Sequence, residues 1–393
     1  MAGACMSEKS EVKKKKKVTS KYFDYSLLFV VIFMVGFGAI MIYSASSYAA
    51  QMEGNAAEHY FIRQVLFSVI GFVGMFITYK IDYRYWRKFA PIIFIGAVLL
   101  IFMLIPFGSS ANGATRWIRF GGIGVQPADL AKTAVIIMVS SLCCSLGDKM
   151  KQFRYVILVC GVTAGFLSLL IYVISNNLSS ALIVIAIALV MTFIVYPGYK
   201  IYVAFASVAV AAVVGIYSYV TSMVKSGTMP DSFRLERILV WTNPENYATG
   251  KGFQTVQALY AIGSGGLFGK GLGKSLQKLG YIPESQNDMI FSIICEELGL
   301  FGAACVIFVF GIMLWRIASI AQNAPDLFGT MLAAGVFAHI AIQVVLNIAV
   351  VTNFIPNTGV SLPFISYGGT SSVVLLAEIG IVLNISGKIK QEK

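Results

Sequence analysis

RLERILVWTNPENYATGKGFQTVQALYAIGSGGLFGKGLGKSLQKLGYIPESQNDMIFSIICEELGL, residues Arg234 to Leu300, decides how the rest of the chain is read. It is too rich in Gly, Asn, Gln and Lys to lie in lipid, yet hydrophobic runs flank it on both sides. Polar material held at a membrane surface by helices is where function concentrates. Asp288 stands where this stretch meets the next apolar run, four residues after Glu284 and ahead of the Glu296–Glu297 pair. Such a cluster of carboxylates demands a reason.

The composition fixes the solvent. With 58% hydrophobic and 12% charged residues and a mean hydropathy of +0.79, the 393-residue chain has too little polar surface to coat a soluble globule. The expected fold is all-α, a polytopic membrane protein of ten helices. Spans are predicted at about 26–48, 61–80, 88–106, 127–146, 155–174, 178–196, 200–220, 288–314, 327–351 and 369–386, with a turn of a few residues at Asn176-Asn177. The first run has no small-residue cleavage site after it, which marks a retained span. Residues 1–25 then form a Lys-rich cytoplasmic tail, 26–386 the transmembrane domain and 387–393 a cytoplasmic tail, with a large extracytoplasmic loop at about 221–287 between the seventh and eighth spans.

Charge placement supports that topology. The Lys13–Lys17 run precedes the first span, and most of the 30 Lys and Arg fall on the side of the N-terminus, as the positive-inside rule requires. The net charge of +12 is therefore explained by topology and anionic lipid, and no nucleic-acid partner is implied. Of the six cysteines none falls in a segment assigned to the outside, so no disulfide framework is expected. His59 and His339 lack the spacing of a metal site and read as structural.

Three outward segments carry candidate chemistry. In residues 112–132, Arg116 and Arg119 depart from the positive-inside trend and ask for an anionic partner, for which arginine forks suit phosphate. Pro127 opens the fourth helix, and Asp129 and Lys132 share one face at i, i+3; such a pair either braces a bundle or lines an outward polar cavity, and the cavity is the favoured reading. In the long loop, GKGLGKS fails the phosphate-loop pattern because Phe268 stands where its first glycine would be. Its glycines let the backbone turn near a ligand, with Lys270, Lys274 and Lys278 supplying positive charge, unless the loop is merely basic and solvated. In residues 356–372, PNTGVSLPFISYGGTSS is non-helical but too apolar to hang free, so it is expected to fold against the bundle mouth. An outward polar cavity holding a carboxylate and several cations, set in lipid, fits a phosphorylated amphiphile.

The blocks QPADLAK, NPENYATGKGFQTVQALYAIGSGGLFGKGLGKSLQKLGYIPESQND with the following MIF and EELG, and PNTGVSLPFISYGGTS resemble the signatures of the SEDS family, the FtsW, RodA and SpoVE proteins of bacterial cell-wall synthesis, in order from about Ser26 to Ile385. The resemblance implies a peptidoglycan glycosyltransferase that polymerises lipid II on the outer face of the cytoplasmic membrane. It also implies a class B penicillin-binding protein as partner, with other division proteins, and the division or sporulation type fits GLGKSLQKLGYIPE best, which places the chain at the septum. Carried over, the aspartate of the PE-x-x-x-D block is Asp288, the implied catalytic residue, and Glu284 is that block's glutamate. Asp129 replaces a usual glutamate in QPADLAK, Asn287 and Met289 replace a common threonine and phenylalanine, and ISNNLSSALI at 174–183 lacks an aspartate many relatives carry.

On this reading Asp288 takes the proton of the acceptor hydroxyl while Arg116, Lys132, Lys274 and Lys278 stand near the pyrophosphates, beside Asp129 and Glu284. Displacement inverts the donor carbon. No cofactor is demanded, although a divalent cation, Mg or Mn, is compatible with a pyrophosphate donor. A lipid II flippase is the competing reading, since a charged intramembrane cavity suits transport as well.

Overall fold

The computed structural model describes residues 19–21, 23–111, 114–120, 123–225, 233–250 and 252–392. In lipid every backbone polar group must be satisfied within the segment, so apolar runs of this length become helices. Ten helices among the described residues are long and apolar enough to cross a membrane, matching the ten expected spans. They are α1 (Tyr25–Met52), α2 (His59–Lys80), α3 (Arg84–Phe102), α4 (Pro127–Leu146), α5 (Phe153–Ser175, through a π-turn at Gly161–Gly165), α6 (Leu178–Val195) and α7 (Tyr199–Lys225). Two short helices of the long loop follow, α8 (Phe233–Thr242) and α9 (Phe253–Gly265), and then α10 (Ile290–Gln322), α11 (Leu327–Val351) and α12 (Gly369–Ser386). Among the described residues, strand content is confined to short pieces: Thr19–Lys21 paired with Lys390–Glu392, and a three-stranded meander of Gly108–Ala111, Ala114–Phe120 and Ile123–Val125. The Lys13–Lys17 run lies outside the described residues.

Local signals explain several boundaries. Asp24 caps α1, accepting from the Leu27 amide at 2.9 Å, and the same carboxylate pairs with Arg316 near the far end of α10 at 2.7 Å. Asn176 ends α5 in the left-handed region and Asn177 caps α6 by accepting from the Ser180 amide, so two consecutive asparagines make the whole turn. The Asp24 amide also reaches Ser386 at the end of α12, so the first and last spans meet at one face, opposite the long loop. α12 lies against α2 through small residues: a Cβ on Gly380 would lie 2.3 Å from the Met75 carbonyl oxygen, and Thr78 Oγ1 donates to the Ala377 carbonyl at 2.9 Å. α7 packs little against the others: most of its apolar side chains face outward, while Tyr202 meets Phe193 of α6 and Tyr217 meets Trp241 of α8.

The eighth span differs from expectation. It was placed at about 288–314; the helix begins at Ile290, runs to Gln322 and breaks at Gly299, whose φ is +69°. The break has a partner. The loop after α9 comes back against it, with Lys270 and Gly271 amides donating to the Glu296 and Glu297 carbonyls and the Leu300 and Phe301 amides donating to those of Gly266 and Leu267, at 2.9–3.0 Å. Residues 300–322 alone span about 34 Å at 1.5 Å per residue, enough for a hydrocarbon core of about 30 Å. Residues 290–298, ahead of the break, are thus not needed to cross it.

Gly299 tests this account. A Cβ there would sit 2.3 Å from the Gly269 nitrogen on a backbone that disfavours L side chains. Gly299→Ala is expected to lower the melting temperature of the detergent-solubilised protein clearly, whereas Gly263→Ala, in open space on α9, leaves it within error. Equal melting curves would show that the loop does not hold the break.

Candidate active site beside Asp288

Asp288 occupies the turn that leads into α10, and its backbone is held from several sides. Asn347 on α11 donates its amide to the Asp288 carbonyl and to the Val360 carbonyl, both at 2.8 Å. Two residues earlier the Gln286 carbonyl accepts from the Tyr367 amide at 2.9 Å, and Ser285 Oγ donates to the Ala45 carbonyl of α1 at 3.0 Å. Glu284 adopts φ +52° and accepts from Asn287 Nδ2 at 3.2 Å, closing the turn. The segment expected to fold against the bundle does so: Val360, Leu362, Phe364 and Ile365 are buried, and Gly359 lies near enough that a Cβ would stand 3.9 Å from Asp288 Oδ2.

Asp288 itself is half-buried, with Oδ1 sealed and without a hydrogen-bond partner among the described residues. Burial, and next the negative charge of Glu284, push its carboxyl up to about 6, while Arg237 pulls the other way. Arg237, on α8, donates to the Asn357 carbonyl at 3.0 Å. Its guanidinium is pushed below the ordinary range, first by burial and then by the like charge of Arg116, with Asp288 opposing. Arg116, on the strand Ala114–Phe120, is lowered by burial, and its Nε is buried without a partner among the described residues. Two desolvated guanidiniums and one desolvated carboxylate thus converge, an arrangement that binds anions and exchanges a proton.

The other residues singled out in the sequence fall in different places. Asp129 and Lys132 are an ion pair at 2.8 Å, only 5% and 4% exposed, at the start of α4, and Asp129 Oδ2 has no partner among the described residues. Lys278 is 6% exposed and gives its ammonium to Glu297 at 2.9 Å and to Ser44 of α1 at 2.9 Å. A cation so engaged is a fastening of the loop. Lys270 does the same for Glu296 at 2.7 Å, while Lys274 and Arg119 are exposed. Two residues escaped the sequence reading. Arg237 sits on a short helix that reads as solvated loop, and Glu378, within α12, pairs with His339 Nδ1 at 2.9 Å deep in the bundle. A lone carboxylate in an apolar span was the available signal for Glu378. Among the described residues no group of three or more His, Cys, Asp or Glu could hold a metal.

Fold and site together define a polytopic membrane protein with a carboxylate and two arginines in a recess at one mouth of its helical bundle. The chain belongs to the FtsW/RodA/SpoVE family (Cell cycle protein), which matches residues 25–391. It is 37% identical to the "Probable peptidoglycan glycosyltransferase FtsW" of Trichlorobacter lovleyi over 94% of each chain, and 36% identical to "Stage V sporulation protein E" of Bacillus subtilis over 92% of this chain and 96% of that one. In fold it is like a chain of a solved peptidoglycan synthase complex, with a TM-score of 0.72 at 24% identity over 93% and 98% of the two chains. The rod shape determining protein RodA of Thermus thermophilus is similar too, with a TM-score of 0.62 at 23% identity over 94% and 98%.

The raised carboxyl fixes the sign of Asp288's own contribution to stability. Because Asp288 holds its proton more tightly folded than unfolded, that contribution is fully present below about pH 4 and is lost as pH rises through about 6. Asp288→Asn removes that loss, so the variant should melt higher than the parent above pH 6.5 or so, the gap closing toward pH 4. A variant that melts lower at every pH would mean that the carboxylate is a structural anion instead.

Proposed function

We propose that the chain is a peptidoglycan glycosyltransferase that polymerises lipid II, with Asp288 as general base. The observation that carries the reading is the convergence of a half-buried, raised carboxylate, its Oδ1 without a partner among the described residues, with two desolvated guanidiniums at the bundle mouth. Glycan extension needs both functions at once. The acceptor hydroxyl attacks the anomeric carbon of the donor, Asp288 takes the hydroxyl proton, the new glycosidic bond forms and the bond to the lipid pyrophosphate breaks. The electron pair leaves with the pyrophosphate, whose charge Arg116 and Arg237 offset; attack from the opposite face inverts the carbon. The buried Asp129–Lys132 pair, whose charges offset one another, is proposed as a further polar contact for the substrate, and Lys274 remains available at the loop surface.

The polymerase reading is supported by family relatives named for that activity. The long-loop face is then the outer face, both termini are cytoplasmic, and the charge bias of the sequence agrees. A class B penicillin-binding protein is the proposed crosslinking partner and the septum the proposed place of work. A divalent cation, Mg or Mn, remains a proposal, and no step above is routed through one.

Two experiments test this. Asp288→Asn keeps shape but cannot accept a proton, so polymerisation of lipid II in detergent should fall by roughly a hundred- to ten-thousandfold; parental activity should rise with pH through about 6 as the carboxyl ionises. Long strands from Asp288→Asn at near-normal rate would remove it as the base, and no product from the parent in detergent would favour a flippase. For topology, single cysteines replacing exposed Thr249 and Asn323 in a cysteine-free background should differ: the first labels with an impermeant reagent on intact protoplasts, the second only after lysis.

A further inference from the structure

A cavity of about 390 Å³ opens at the end of the bundle opposite the long loop, and the mechanism above uses none of its residues. Arg84 and Arg87 in the first turn of α3, Cys144 in the last turn of α4, and Asp326, Leu327 and Phe328 at the start of α11 line it. Pockets for small ligands run at about 300–1,000 Å³, so the space suffices for a compact polar group. Its frame is fixed beforehand. Asp326 accepts from the Tyr83 hydroxyl at 2.7 Å, the Gly329 amide at 2.8 Å and Arg84 Nε at 3.1 Å. The buried Tyr83 ring stacks on Phe328 at 6.3 Å, and the Tyr83 amide donates to Asn384 Oδ1 of α12 at 2.9 Å. On the third side, Ser141 Oγ of α4 donates to the Arg87 carbonyl at 3.5 Å.

The charges of that lining select a ligand class. Asp326 is saturated by three donors and offsets one of the two arginines, so the cavity keeps one net positive charge. Arg84 spends Nε on Asp326 and retains its terminal amino groups, while Arg87 has no carboxylate within ion-pair distance among the described residues and makes only a 3.4 Å contact to Ser145 Oγ. Guanidiniums with N–H groups to spare are shaped for phosphate. A phosphodiester, with its single negative charge, matches the balance, whereas a phosphate monoester brings about −1.5 to −2. The surroundings add an apolar requirement. The cavity lies where the apolar runs of α3, α4 and α11 end, and Leu327 at its rim is exposed. Ile95 and Phe102, at i+11 and i+18 from Arg84 and hence on its face of α3, are exposed too, continuing the cationic mouth as an apolar track. A soluble anion gains nothing from such a track, and an acidic protein segment would leave it bare. Basic pockets between spans at the membrane surface are where anionic headgroups bind.

We infer that this cavity binds the headgroup of an anionic glycerophospholipid of the phosphatidylglycerol type, its phosphodiester between Arg84 and Arg87 and its acyl chains along α3. Bound there, the lipid ties α3, α4 and α11 together and stabilises the folded protein by mass action. The site stands whether or not the chain polymerises lipid II. Delipidated full-length protein in neutral detergent is titrated with dioleoyl-phosphatidylglycerol, bound lipid being counted by native mass spectrometry and melting followed in parallel. Phosphatidylglycerol should raise the melting temperature of the parent, and phosphatidylcholine with the same chains should not. Arg87→Gln should weaken phosphatidylglycerol binding by about tenfold, the scale of one charge-assisted phosphate contact. Cys144→Phe, which fills the cavity and keeps its charges, should weaken it as well. Lys149→Gln, an exposed cation at the same end but outside the cavity, should leave it within about twofold, since such a charge acts only through the screened surface potential. Arg84 is kept, because its loss would free Asp326. Melting curves without lipid show which variants fold, and a folded Cys144→Phe or Arg87→Gln carries the comparison. Undiminished binding in that variant, or an equal loss with Lys149→Gln, overturns the site. Arg87-dependent protection by inorganic phosphate or glycerophosphoglycerol alone would make it a soluble-anion site, and the same protection by poly-glutamate an acidic-peptide site; either result overturns the lipid.

Discussion

Two buried carboxylates, Glu296 and Glu297, hold the long-loop end of this protein together. Both are fully buried in the first turns of α10. Taking an ion out of water costs several kcal/mol even after relaxation, so each must be surrounded by donors, and the glycine-rich loop supplies them. Glu296 receives Lys270 Nζ at 2.7 Å, the Leu276 amide at 3.2 Å, the Gln277 amide at 3.3 Å and the Ser275 hydroxyl; Glu297 receives Lys278 Nζ at 2.9 Å and Ser44 Oγ at 2.7 Å. The carboxylates are thus the mould on which GKGLGKSLQK is folded. Ser44 brings α1 into the same knot, and the loop reaches the Asp288 turn already anchored. Removing one partner of such a pair strands the other, typically at a cost of about 3–5 kcal/mol.

The membrane explains why so much of the fold was legible in the sequence. Lipid forces each apolar run into a helix, and the count, the Asn176-Asn177 turn and the folded-back PNTGVSLPFISYGG segment follow from composition and local turn chemistry. The break at Gly299 was not legible. It depends on the backbone of Gly269 arriving from another segment, and a glycine inside an apolar run carries no mark of what approaches it. The short strands near Arg116 were hidden for a similar reason, since they form by pairing with one another.

At the site, position and pattern singled out Asp288 and Arg116, and the Asp129–Lys132 spacing anticipated the ion pair. The lysines of the loop show the limit. Whether Lys278 faces a ligand or a carboxylate is a tertiary fact, and both answers share one sequence. Glu297 was in view as part of an unexplained acidic pair, but nothing local says that it is sealed inside with Lys278 as its counterion. Arg237 was missed because an arginine on a short amphipathic helix is ordinarily solvated, and only the fold turns it toward Asp288.

The electrostatics of that meeting bear on when the base acts. A carboxylate near a guanidinium normally has its proton affinity lowered, yet burial and Glu284 outweigh Arg237 here, leaving Asp288 at about 6. Arg116 and Arg237 in turn are desolvated and mutually repelling, a state that an anion between them relieves. On the proposed reaction that anion is the donor's pyrophosphate. Its charge cancels the pull of Arg237 on Asp288, so the carboxylate becomes a stronger base once the donor is in place. Proton abstraction is then favoured when leaving-group stabilisation is already assembled, and an acceptor entering an empty site meets a weaker base. The same two arginines would therefore serve the leaving group directly and the base indirectly.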